Sequence, residues 1–364
     1  MANKFISSVW DFSEVTSKET GYLTHDFLRW YGKLIPQLVE RLVSLYSEPG
    51  ETVLANFSGS GTVALEAKLL GRNALGIDPN PLSLLVSSSK SNPSQADLLG
   101  TLTKISKDIQ KNPLKVVKAS IPEAKWFRDG DLESLIAIRE AILRQAAESD
   151  RDTLLLALAA IVKKVSLVDS RCVNHLVKDN SKRQIDIWNE YESKVRSMMV
   201  SISELGKLSS PGIVNIRQGD SRNLEIESDS IDLIVSHPPY LGAIDYSNMY
   251  QLENIVLGFD QASFKSRDIS TTSLKKYLEA MQDVFTEMHR VLKPGKRMAV
   301  IIGDNRKDGA IQPTFAHFIH DAESRLGMKL EDIFIWVTSG KAGMSVKRHG
   351  NYIDHNYILV FRKV

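Results

Sequence analysis

Thr52-Val53-Leu54-Ala55-Asn56-Phe57-Ser58-Gly59-Ser60-Gly61-Thr62, with Ala74-Leu75-Gly76-Ile77-Asp78-Pro79-Asn80-Pro81 a dozen residues on, decides the fold. Thr52–Ala55 reads as a short buried strand and Ser58–Thr62 as a small-residue turn. Val63–Leu70 reads as a helix stopped by Gly71, and Ala74–Ile77 as a second strand running into an acid. Strand, glycine turn, helix, strand, acid is one half of an open parallel sheet. Upstream, Leu34, Leu38, Leu42 and Leu45 recur at helical spacing, which predicts a helix over Phe27–Tyr46 that stops at Glu48-Pro49-Gly50.

Downstream, the strand signal vanishes from about Asn92 to Ser210. Leu98–Gln110, Leu132–Ala147, Asp152–Val165 and Gln184–Leu205 each read as helices. Ile213–Ile216 restarts the sheet pattern, and Ile231–Val235 is a strongly apolar strand opening onto Ser236-His237-Pro238-Pro239-Tyr240. Leu274–Leu292 is an amphipathic helix, Met298–Ile302 a buried strand, and Thr314–Leu326 a further helix. Lys329–Val337 and Tyr352–Phe361 read as an antiparallel pair. The expected fold class is therefore α/β: a Rossmann-like sheet with a C-terminal antiparallel hairpin and a large helical insertion. The expected parts are a first sheet segment over 1–91, a helical insertion over 92–212 and a second sheet segment over 213–364.

Composition narrows the function classes. The formal charge of +2 is close to neutral, so any basic surface must be local. The longest apolar run, Leu154–Val162, is about half of what a bilayer span needs, and Met1-Ala2-Asn3-Lys4 leads into no apolar signal segment. A single cysteine, Cys172, excludes an internal disulfide and a multi-cysteine metal site, and no metal is expected. These features predict a reduced, cytoplasmic enzyme without a membrane anchor.

Two motifs carry chemistry. In Phe57-Ser58-Gly59-Ser60-Gly61-Thr62 the glycines let backbone approach a ligand and the following helix N-terminus faces it. Asp78, at the tip of the next strand, suits the two hydroxyls of a ribose. A purely structural turn would carry the same glycine pair, but no Walker lysine follows, which argues against a nucleoside triphosphate. In His237-Pro238-Pro239-Tyr240, two prolines after a buried strand cannot continue the ladder and hold the loop extended. Their carbonyls suit an exocyclic amino group: accepting both its protons localises the nitrogen lone pair for attack on an electrophile. Tyr240 offers a face to a planar base. A rigid edge turn with a packed tyrosine is the structural alternative.

These residues resemble the amino-methylating DNA methyltransferases that use S-adenosylmethionine. Thr24-His25-Asp26-Phe27 through Pro36 is similar to the family's N-terminal cofactor motif, which implicates Lys33 and Pro36. Val53–Thr62 resembles the glycine motif, and Gly76–Pro81 the ribose-binding acid. The resemblance places Asp220 near the cofactor adenine and makes Ser236, His237, Pro238, Pro239 and Tyr240 the catalytic loop. Leu241-Gly242-Ala243-Ile244-Asp245-Tyr246, Leu252-Glu253, Leu257-Gly258 and Val291-Leu292-Lys293-Pro294-Gly295 match the same group. The order of motifs is that of many cytosine-directed members, so cytosine N4 is favoured over adenine N6.

Two positions depart from that pattern. Ala55-Asn56 stands where the family usually has Asp-Pro, and His237 stands where it has Asp, Asn or Ser. A neutral imidazole can accept an amino proton, and at its ordinary pKa near 6.5 it is mostly neutral at pH 7. Methylation at a ring carbon would need a cysteine nucleophile. Cys172 lies far from either motif and reads as a small helix residue.

Lys163, Lys164, Arg171, Lys178, Lys182 and Arg183 concentrate positive charge in the insertion, and Lys347 and Arg348 in the C-terminal hairpin loop. They are the expected phosphate contacts of a duplex DNA with an extruded base. Asn174 and Asn180 are candidates for base edges, and the five tryptophans read as core or interface. The implied partners are DNA and, in some members, a cognate restriction nuclease. Two alternatives remain open: an RNA guanine-N2 methyltransferase, for whose separate RNA-binding domain the N-terminal region is short, and a catalytically silent DNA- or cofactor-binding homologue.

Overall fold

The computed structural model describes residues 7–112, 125–169, 185–208, 212–242, 246–307, 310–338 and 355–364. The chain enters through β1 (Ser8–Asp11) and reaches α1 (Pro36–Tyr46), whose first residue is a proline pre-set for the helical φ and free of a wasted donor. β2 (Thr52–Ala55), α2 (Thr62–Leu69), β3 (Asn73–Asp78) and α3 (Pro81–Ser91) follow. Four helices come next: α4 (Leu98–Lys111), α5 (Asp131–Gln145), α6 (Glu148–Val165) and α7 (Ile187–Gly206). Asp97 and Asp186 cap α4 and α7 with side-chain oxygens on the free amides of Leu99 and Asn189.

The sheet resumes with β4 (Val214–Gln218) and β5 (Ile231–Ser236). Three short helices, α8 (Tyr246–Met249), α9 (Gln251–Leu257) and α10 (Ala262–Lys265), lead to α11 (Leu274–Val291), capped by Ser273. β6 (Leu292–Ile302), a small hairpin of β7 (Asn305–Lys307) and β8 (Ala310–Gln312), and α12 (Thr314–His320) precede β9 (Lys329–Val337) and β10 (His355–Arg362).

The main sheet has the order β1-β9-β10-β6-β5-β2-β3-β4. β6, β5, β2, β3 and β4 run parallel, while β10 is antiparallel to both β6 and β9. This is a Rossmann-like α/β fold with an antiparallel C-terminal pair. β5 is buried at all six positions, as a central parallel strand covered on both faces must be. One face packs Leu54, Ile234, Val300 and Leu359 under α11; the other packs Val53, Leu233, Ala299 and Ile358 under α1 and α2. A third core joins α4–α7 to Phe27, Leu28, Trp30 and Tyr31, to α3 and to α9, so the four helices share their interior with segments on either side. No described helix is long and apolar enough to cross a membrane.

Several local expectations are corrected. The helix expected over Phe27–Tyr46 starts only at Pro36; Gly32 has φ +69°, and Phe27 to Tyr31 are apolar because they fill the third core. α3 was not expected, although Asn80 accepts the Leu82 amide and Pro81 opens the helix, a start signal obscured by the serines that follow. β1, β7 and β8 were missed as well. β6 starts at Leu292 instead of Met298, with a register shift opposite Ile231–Leu233 that absorbs Pro294. The helix expected over Thr314–Leu326 ends in a π-helical turn, Asp321–Arg325.

Candidate active site

The turn after β2 is shaped by its own amides. Ser58 N–H donates to Ile77 O at 2.9 Å, extending the β2–β3 ladder by one rung. Gly59 (φ +50°) donates its N–H to Asp78 Oδ2 at 2.8 Å, and Asn80 N–H donates to Asp78 Oδ1 at 3.0 Å. Burial pushes the Asp78 carboxyl above the usual carboxylate range, and those two amides act against the rise. Gly61 (φ +73°) caps α2; a Cβ there would stand 2.6 Å from Ser87 Cα, so both conformation and space require glycine.

Register brings the second motif beside this turn. Val53 pairs with Leu233 and Leu54 with Ile234, so two residues on, Asn56 and Ser236 stand level at the ends of adjacent strands. Ala55 pairs with Gly76, which sets Phe57 level with Asp78. The chain winds outward from β2 through β3 to β4, and from β5 through β6 in the opposite direction. The crevice between β2 and β5 is therefore the topological switch point, where open sheets bind ligands. The glycine turn and the double-proline loop open on one edge of the molecule.

Within the loop, His237 Nε2 and Tyr240 Oη lie 3.0 Å apart, with the rings edge to face at 5.3 Å and 82°. Burial lowers the His237 pKa to about 4, so the imidazole is neutral at pH 7. Tyr240 packs on Gly303 at the end of β6, where a Cβ would come within 2.8 Å of the ring. Asn56 Oδ1 and Nδ2 and Ser236 Oγ are buried and find no hydrogen-bond partner among the described residues. Buried polar atoms without partners are rare, and here three of them belong to residues level at the ends of adjacent strands.

The structure adds residues that motif reading passed over. The Trp30 indole nitrogen stands 3.5 Å from where a Gly59 Cβ would lie, and the indole stacks on Tyr250 at 4.5 Å and 19°. Ser221 Oγ donates to Asn56 O. Trp30 lies within the Thr24–Pro36 stretch but nothing singles it out there, and nothing in the spacing of Ser221 flags it; only the folded chain puts both at the turn.

Other expected positions fare differently. The Asp220 carboxylate is gripped by the Arg222 guanidinium at 2.7 Å and by the Arg222 amide at 2.9 Å. Any ligand near Asp220 therefore meets an ion pair instead of a free carboxylate. Lys33 is largely buried, which lowers its pKa, and its charge acts on His25 and Lys90. Pro36 is buried as the first residue of α1.

Lys163, expected at the phosphates, has a side chain only 12% exposed, with its ammonium 3.9 Å from the Glu253 carboxylate. Its ammonium donates to Met249 O at 2.9 Å and sits 5.3 Å from the Tyr31 ring centre and 5.1 Å from that of Tyr250, a packed cation–π site. Lys164 is 50% exposed and pairs with Glu190 at 2.5 Å. Arg171, Lys178, Lys182, Arg183, Lys347 and Arg348, like Cys172, Asn174 and Asn180, lie outside the described residues.

The model of the N6/N4 methyltransferase family, described as DNA methylase, matches residues 1–84 and 231–364, more than half of the chain. Those stretches carry the glycine turn, Asp78 and the double-proline loop. Type II methyltransferase M.MjaII of Methanocaldococcus jannaschii is 22% identical over 82% of this chain and 75% of its own. M.BsoBI of Geobacillus stearothermophilus is 23% identical over 66% of this chain and 54% of its own, and M.MvaI of Kocuria varians 23% over 68% and 63%. This chain thus spans about three-quarters of the first relative and between half and two thirds of the other two. Among solved structures, a SAM-dependent methyltransferase from Methanosarcina mazei is 9% identical over 89% of this chain and 97% of its own, at a TM-score of 0.38. At that level kinship rests on the family match and not on the superposition. The matched stretches are the ones that meet at the β2–β5 edge, and the chain belongs to the DNA methylase family of S-adenosylmethionine-dependent, amino-methylating methyltransferases.

Proposed function

We propose that this enzyme methylates the exocyclic amino group of a base extruded from duplex DNA, and that the base is cytosine, modified at N4. The observation that carries the reading is the level placement of Asn56 and Ser236, which puts the glycine turn and the Ser236–Tyr240 loop at one crevice. The orphaned polar atoms of Asn56 and Ser236, the Gly59–Gly61 turn and Asp78 fit a ligand that has both a ribose and a polar amino-acid tail. S-adenosylmethionine, when bound, supplies an electrophilic methyl group. Phe57, Ser58, Gly59, Ser60, Gly61, Thr62 and Asp78 would hold it, with Asp220 paired to Arg222 at the adenine side.

The loop residues then divide the work on the base. Tyr240 stacks on the ring plane, its own ring held against Gly303. The Pro238 carbonyl accepts one amino proton. His237 accepts the other, which requires the tautomer in which Nε2–H donates to Tyr240 Oη and Nδ1 carries the lone pair. With both protons engaged the nitrogen lone pair is localised for in-line attack: the N–CH3 bond would form as the sulfonium S–CH3 bond breaks, leaving a neutral thioether. The excess proton on nitrogen would pass out along the hydrogen bond to neutral His237, which adds no repulsion to the developing charge.

Recognition of the DNA sequence is assigned to 92–212, all of which lies between the two matched stretches. Cytosine is favoured by the motif order. The relatives carry type II methyltransferase names, and we further propose that this enzyme is the modification half of a restriction system and acts in the cytoplasm. The test is methyl transfer to duplex DNA, then digestion to nucleosides and mass spectrometry. N4-methylcytosine supports the reading, N6-methyladenine reassigns the base, and transfer to unmodified tRNA alone replaces DNA by RNA. A second reading, binding without turnover, is favoured by Asn56 and His237 at positions where the family usually has other residues. Cofactor binding without transfer to any DNA would select it.

A further inference from the structure

The carbonyls of the glycine turn are held from behind by one helix. Ser83, Ser87 and Lys90 occupy positions i, i+4 and i+7 of α3, a spacing that puts them on one face. Ser83 Oγ donates to Gly59 O at 2.7 Å and Ser87 Oγ to the same oxygen at 3.1 Å. Lys90 Nζ donates to Ser60 O at 2.7 Å. All three side chains are fully buried. Ser87 also reaches Ser58 Oγ at 3.0 Å, and its backbone is what a Gly61 Cβ would strike. Every residue from Ser58 to Gly61 is thus in register with α3.

A buried lysine whose hydrogen-bond acceptor among the described residues is a single carbonyl is an expensive way to pack a helix; an apolar side chain would fill the volume without desolvating a charge. Glu66 and Asp26 lie near enough to favour the ammonium, while Lys33 opposes it and burial lowers its pKa to about 7. The arrangement makes sense if the Ser60 carbonyl must be turned inward, away from the ligand side of the turn. We propose that Ser83, Ser87 and Lys90 are positioning residues that template the cofactor turn, with Lys90 holding the Ser60 carbonyl. This rests on the turn being the cofactor seat. None of the three belongs to the Ser236–Tyr240 loop.

The test has one readout that needs no ligand. Hydrogen–deuterium exchange of peptides covering 55–65 is measured on the ligand-free full chain for the native protein, Lys90→Met and the double variant Ser83→Ala/Ser87→Ala. S-adenosylmethionine affinity is measured by calorimetry, and KM and kcat by methyl transfer. Exchange at the turn rises about tenfold or more in each variant and the dissociation constant rises by a similar factor, about 1.4 kcal/mol per tenfold. KM for the cofactor rises more than kcat falls, a split that general destabilisation would not produce. Should Lys90→Met fail to fold, the serine variant, which buries no new group, carries the same test. Unchanged turn exchange in a folded variant overturns the proposal. A failed methylation assay with altered exchange overturns only the functional reading.

Discussion

Asp78 Oδ2 accepts the amide proton of Gly59 at 2.8 Å, so the carboxylate proposed to receive a ribose is also a strut of the turn beside it. Binding and shape are therefore coupled at this residue. Asp78→Ala leaves the amides of Gly59 and Asn80 without their acceptor. The loss of stability is about 1–3 kcal/mol, read from thermal or urea unfolding. Cofactor affinity falls by at least about tenfold in calorimetry. An unaltered affinity would detach Asp78 from the ligand.

The pH response of His237 follows from its burial. An unfolded histidine takes its proton near pH 6.5, whereas this one does so only near 4. Between those values the unfolded chain binds a proton that the folded chain refuses, so stability falls as pH drops through that window. The transfer rate shows no step at 6.5 that His237→Asn removes. NMR titration of the His237 ring reports the same ionisation directly, and a midpoint near 6.5 would refute the buried neutral state.

Gly61 and Gly50 separate conformation from space. Both have positive φ, but a Cβ on Gly50 meets nothing within 4 Å, whereas one on Gly61 meets the backbone of Ser87. Gly50→Ala costs about 1 kcal/mol from backbone strain alone. Gly61→Ala adds overpacking of about 1–3 kcal/mol and weakens cofactor binding. Equal costs in parallel unfolding curves would mean that α2 and α3 can part freely.

Tyr240 has a ring and a hydroxyl with separate tasks. Tyr240→Phe keeps the ring on Gly303 and loses the bond to His237, which lowers kcat without a large change in DNA affinity. Tyr240→Ala also removes the stacking face, worth about 1–3 kcal/mol per base. Its kcat/KM falls about tenfold or more below that of Tyr240→Phe. Identical kinetics for the two variants would assign all of the effect to the hydroxyl.

Lys163 and phosphate contacts are told apart by salt. Lys163→Met loses a cation held by two aromatic faces and the Met249 carbonyl, at a cost of about 2 kcal/mol. The slope of log affinity for DNA against log salt stays as in the native protein, because no counterion is released at that site. A slope reduced by about one would return Lys163 to the phosphate contacts.

Local chemistry made the two motifs legible. Gly59 and Gly61 between a strand and a helix, and Pro238-Pro239 after an apolar strand, are choices that backbone sterics restrict to few settings. The packing of Lys163 was not legible for the opposite reason: charge says nothing about burial until Tyr31 and Tyr250, 132 and 87 positions away in the chain, close around it. α3 was missed because Ser87, Ser88 and Ser89 look like a loop in isolation, and the helical face becomes evident only when Ser83 and Ser87 donate to the Gly59 carbonyl of the turn.

Sequence alone determined the parallel α/β core, the turn and the loop, since strand burial, glycine conformation and proline's missing donor are properties of short segments. The tertiary structure alone decided that Asn56 and Ser236 end level on neighbouring strands, that Trp30 stands over Gly59, and that Asp220 is spent on Arg222. Those are facts of register and packing between residues distant in the chain, and no local preference encodes them.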